Sequence, residues 1–123
     1  MSRTSVQMLS KDTAGASITL PFTGASVTSA NVPADSYHGF SDGLHTVGIT
    51  LSGFTGSIAI EGTLAKTPGA NDWFRISLGG LNAVPYTTQT GTTAYTFTGN
   101  YLYVRALVFG RSAGSVTSIL LNH

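Results

Sequence analysis

Cysteine is absent from the 123 residues, which excludes a disulfide framework, thiolate metal sites and thiol catalysis. Charge is scarce: only 9% of residues are Asp, Glu, Lys or Arg, against roughly 25% in an ordinary soluble domain. The formal net charge is +1, so neither nucleic acid nor an anionic membrane is an expected partner. Long apolar runs are missing too. Nothing approaches the roughly 20 residues of a membrane span, and Met1-Ser2-Arg3-Thr4 leads into no apolar signal stretch. That pattern predicts synthesis in a cytoplasm without secretion. Helical patterning is also lacking, since no window sustains apolar spacing at i, i+3, i+4 and i+7.

What is present is a β-forming, weakly polar chain. Hydrophobic residues make up 41% and mean hydropathy is +0.19, which argues against disorder. The length supports one domain with one core. Thr, Ser and 15 Gly replace charge as the means of solvation. A carbohydrate-facing extracellular domain tolerates such a surface, and so does a subunit packed against neighbours. The second is favoured, because few charges mean little repulsion against assembly.

Strand patterns recur at the spacing of sandwiches and barrels. Ser17 to Phe22 places Ile18, Leu20 and Phe22 on one face, with Pro21 marking an edge. Leu44 to Leu51 directs Val47, Ile49 and Leu51 inward, and Ser57 to Leu64 directs Ile58, Ile60 and Leu64 inward. Ser52-Gly53-Phe54-Thr55-Gly56 between them predicts a hairpin turn. Lys66 to Asp72 predicts a loop, Trp73 to Leu78 a strand ended by Gly79-Gly80, and Val84-Pro85-Tyr86 a short edge strand or extended loop. Thr93 to Thr98 and Tyr101 to Phe109 predict a second hairpin across Gly99-Asn100. Val116 to Leu121 follows a Gly110–Ser115 loop, with Val116 and Leu120 facing away from Ile119 and Leu121. The expected fold is all-β, an antiparallel two-sheet sandwich of jelly-roll type with seven or eight strands. An immunoglobulin-like sandwich is the alternative. Residues 16–123 form the expected domain. Residues 1–15 read as a frayed terminus or an arm that pairs with a neighbouring subunit.

Chemistry-bearing patterns are sparse. Asp35 and Asp42 bracket a loop containing His38, but two carboxylates without calcium-loop spacing predict a turn rather than a metal site. His38, His45 and His123 have no zinc spacing. His45 shares parity with Val47, which predicts a buried imidazole. No nucleophile elbow or phosphate-binding glycine loop appears. No catalytic residue, metal or cofactor is expected. Aromatics are the better signal. Trp73 and Phe74 must point to opposite faces of a strand. Tyr101, Tyr103 and Arg105 share a parity opposite Leu102, Val104 and Ala106, which predicts an outer stripe rich in interface residue types. Tyr101, Tyr103, Arg105 and Trp73 are therefore the candidate subunit-contact residues. Trp73 and Tyr37 are the candidate sugar-stacking platforms.

The stretch Gly43-Leu44-His45-Thr46-Val47, continuing through Ile58-Ala59-Ile60-Glu61-Gly62-Thr63-Leu64 to Asn71-Asp72-Trp73-Phe74, resembles a pattern in small β-sandwich proteins of tailed bacteriophages. There a strand, a turn, an x-Ile-x-Ile-x-Gly-x-Leu strand, a Pro/Asn-rich loop and a Trp-containing strand follow one another. The resemblance covers residues 43–78 and rests on core positions, so no functional residue is carried over. It implies a non-enzymatic virion structural protein, first a head decoration (cement) subunit and otherwise a tail or baseplate component. Its expected partners are other virion proteins and copies of itself. A carbohydrate-binding module is the reading from another class.

Overall fold

The computed structural model describes residues 5–34, 44–69, 71–99 and 101–122. The described chain is all-β, with seven strands in one antiparallel sheet. They are β1 (Ser5–Gln7), β2 (Val27–Thr28), β3 (Val32–Pro33), β4 (Leu44–Thr63), β5 (Phe74–Ile76), β6 (Val84–Thr98) and β7 (Tyr103–Asn122). Three long strands, β6, β4 and β7, lie side by side, with β4 in the middle. The short strand β5 extends the β6 side of β4, while β1, β2 and β3 line the far side of β7. The sheet curls into a half-barrel.

The curl has a visible cause. Both predicted hairpins are absent, and so is the predicted break within 110–115. Leu44 to Thr63 is one strand, and Tyr103 to Asn122 is another. The glycines read as turn residues instead form β-bulges, which bend a strand without ending it. Positive φ occurs at Gly53 on β4, Thr88 and Gly91 on β6, and Gly110 and Gly114 on β7. Register shifts separate Leu51 from Phe54 and Phe54 from Gly56 against β6, and Thr50 from Ser57 in three steps against β7. One line of bends therefore crosses all three strands.

Those bulges also change which parity faces the core, since a one-residue slip reverses every side chain beyond it. On β4 the hydrophobic core residues are Val47, Ile49 and Leu51, then Phe54, Ile58 and Ile60, while Ala59 and Thr63 are buried on the opposite parity. On β7 the core residues are Val104, Ala106 and Val108, then Val116, Ile119 and Leu121. Val116 thus faces the core with Ile119 and Leu121, contrary to its expected parity, and only Leu120 points out. Phe54, expected within a turn, lies inside β4 and is fully buried. Leu64, expected inside, lies beyond the strand and is 68% exposed.

Bending brings the two ends of β4 together. A straight strand would separate positions 45 and 62 by roughly 56 Å. Yet the Tyr101 ring centroid lies 5.9 Å from that of His45, and the same ring abuts Gly62. This explains the missing second hairpin. Thr98 pairs with Leu44 at one end of β4, and Tyr103 pairs with Thr63 at the other. These adjacent ends are only five positions apart in sequence, at Thr98 and Tyr103.

The amino-terminal segment joins the same core. Ser5–Gln7 pairs with Leu120–Asn122, while Met8 and Leu9 are fully buried. Gln7 Oε1 accepts the Ile119 and Leu9 amides at 3.0 and 3.2 Å. Ser17 to Phe22, expected to be a strand, makes only single bridges at Ser17 and Phe22. Ile18, Leu20 and Phe22 nevertheless pack against the core. Ser29 is buried, and its hydroxyl accepts the Ala106 amide at 2.8 Å while donating to the Ala30 carbonyl.

Candidate functional site

The outer face of the sheet beyond the bend carries a connected side-chain cluster. Glu61 on β4 stands directly opposite Arg75 on β5 and Arg105 on β7. Its carboxylate accepts from both: Arg75 Nε lies 3.2 Å from Oε2, and Arg105 Nη2 and Nε lie 2.8 and 2.9 Å from Oε1. Cross-strand opposition of unlike charges accounts for the placement. Arg75 Nη1 also donates to the Asn82 carbonyl.

Aromatic rings flank this network. The Arg105 guanidinium lies 4.2 Å from the Trp73 ring centroid, and Arg75 lies 5.4 Å from that of Phe109. Both distances fall within cation–π range. The result is a half-buried surface with two cations on one carboxylate. Trp73 and Arg105, two candidate contact residues, are in direct contact. Tyr103 lies two positions from Arg105 on the same side of β7, opposite Val104 and Ala106.

Tyr101 is elsewhere. It precedes β7 and turns inward among Phe97, His45 and Phe74, at centroid separations of 6.1, 5.9 and 5.7 Å. The expected Tyr101–Tyr103–Arg105 stripe is broken because the strand begins at Tyr103, so alternation does not reach Tyr101. Burial pushes the Tyr101 phenol upward in pKa. His45 is fully buried and stacks on Phe97 at 4.9 Å with planes 5° apart. Trp73 and Phe74 point apart as expected, one under Arg105 and the other toward Tyr101.

Other expectations are placed less favourably. Tyr37, His38, Asp35, Asp42 and His123 lie outside the described residues. Among the described residues, no three His, Asp or Glu side chains come together. An open depression of about 400 Å³ runs from Asp12 to Val27. Its one carboxylate, Asp12, accepts the Ala14 and Ala16 amides in a tight turn. Glu61 has the parity opposite Ile58 and Ile60, but nothing in the sequence joins it to its two arginines. Only the register of three strands reveals that positions 61, 75 and 105 form one row. No protein-family model matches the chain, and no curated protein matches it.

Proposed function

We propose that the chain is a non-enzymatic structural subunit of a bacteriophage virion, foremost a head decoration (cement) subunit, that docks on other virion proteins through the Trp73–Arg105 face. The carrying observation is the row Arg75–Glu61–Arg105 with Trp73 and Phe109 beside it. Trp and Arg are the residue types that dominate protein–protein contacts. Here Glu61 holds both arginines, and Arg105 in turn lies over the Trp73 ring, before any partner arrives, which lowers the ordering cost of binding. The surface is the flank of a sheet, suited to another protein surface. The charge-poor composition and the phage-like pattern over residues 43–78 support the same reading. A tail or baseplate position uses the same face.

The finer architecture belongs with this proposal. In it, the two halves of the bent sheet are the layers of a jelly-roll-type sandwich. Support comes from Tyr101, which touches residues from both ends of β4.

Trp73→Ala and Arg105→Ala test the docking face. Both variants are expected to fold and to be lost from particles when supplied in trans to a phage lacking the wild-type gene. Incorporation of both at the wild-type level overturns the assignment. Saturable glycan binding that disappears in Trp73→Ala would instead identify a carbohydrate-binding module.

A further inference from the structure

Among the described residues, the long strands of this sheet are covered on every flank but one. The far side of β7 is lined by β1, Phe22, β2 and β3 in turn. β4 is flanked by β7 on one side and by β6 and β5 on the other. β6 pairs with β4 only, and no described strand or bridge occupies its other edge. Sheet edges are ordinarily protected by charges, prolines, bulges or covering segments. The first part of β6 has such features, with Pro85 and the bulges between Tyr86 and Gly91. From Gly91 to Thr98 the described residues supply none. The register against β4 runs without a shift, and no charged residue occurs in the sequence between Arg75 and Arg105. Thr92, Ala94, Thr96 and Thr98 are exposed.

We infer that this edge is a homotypic contact, with Gly91–Thr98 of one chain pairing antiparallel with the same segment of a second copy. An antiparallel ladder offers donors and acceptors alternately, so two identical edges related by a two-fold axis satisfy each other. No like charges meet across the junction, and a net charge of +1 opposes dimerisation little. The paired β6 strands join two sheets into one and continue the threonine rungs already present. Within one chain, Thr46 bonds Thr96 at 3.3 Å and Thr50 bonds Thr92 at 3.0 Å. The contact deepens the structural-subunit proposal, on which its use in an assembly rests. Its own test needs only isolated chain and no particle.

Sedimentation equilibrium of the full chain is expected to give twice the 12.7 kDa chain mass, with slow amide exchange throughout 91–98, including the alternate residues whose N–H groups point away from β4. Ala94→Lys combined with Thr96→Lys sets like charges across the junction, weakening the dimer about tenfold or more, with the melting transition retained. Mixing Ala94→Lys with Ala94→Glu chains is expected to favour the mixed dimer, which keeps the test decisive if the double variant misfolds. A folded chain that stays monomeric up to about 1 mM overturns the inference. So does a dimer indifferent to these charges, or β6 protection that appears only when a different protein is added.

Discussion

Gly62 and Tyr101 meet so closely that a Cβ at position 62 would lie 2.8 Å from the Tyr101 Cδ1 atom. That contact ties the end of β4 to the ring that also touches His45 near its start. One aromatic side chain thus bridges the two ends of the bent strand. Ile76 Cδ1 crowds the same spot at 3.0 Å. Gly62→Ala is expected to lower stability by about 1–3 kcal/mol through overpacking. A denaturant midpoint equal to that of the wild type contradicts this contact.

The bend supplies a second prediction. Gly114 has φ +73°, and a side chain there would collide with the Gly53 carbonyl on the facing bulge. Gly114→Ala combines backbone strain with this collision, so a loss of roughly 2–4 kcal/mol is expected. Thermal unfolding measures it. Full tolerance of alanine implies that β7 bends elsewhere.

Buried amides give a third. Ser29 Oγ is the acceptor for the Ala106 amide, and Gln7 Oε1 serves Ile119. Ser29→Ala and Gln7→Ala each leave a donor without its partner, at a cost of about 1–3 kcal/mol. Faster exchange at Ala106 or Ile119 in the matching variant locates the effect.

Tyr86 predicts the opposite sign. Its hydroxyl is buried without a well-formed hydrogen bond among the described residues. Burial first, and neighbouring Tyr95 second, push its pKa above the ordinary 10.0. Tyr86→Phe should therefore be neutral or slightly stabilising at pH 7. Because the folded-state pKa is raised, the stabilising preference for the neutral phenol is complete below pH 10 and lost as pH climbs above it. Alkaline unfolding above pH 10 is accordingly expected to be shallower in Tyr86→Phe. An unchanged alkaline limb argues against a buried phenol.

Alternation was the reliable signal in the sequence, and connectivity was not. Val47, Ile49, Leu51, Ile58 and Ile60 are buried as their parity indicates, as are Val104 and Ala106. The glycines at 53, 56, 110 and 114 predict turns but form bulges, because a bulge and a turn draw on the same residue type. What separates them is whether the flanking strands pair with each other, and that depends on β6 and β7, distant in sequence from β4. The Glu61 row was hidden for the same reason. Trp73 and Arg105 could be selected by residue type alone, whereas Tyr101 was misplaced because strand parity was extended two residues too far.

The docking proposal rests on protein contact as the purpose of the exterior. Its most direct measurement is whether this chain occurs in purified phage particles and, if so, in what amount and position. The account predicts a fixed stoichiometry at symmetry-related positions, with Trp73 and Arg105 buried against a neighbouring virion protein. Complete absence of the chain from intact particles, or a location that leaves that face in solvent, contradicts it.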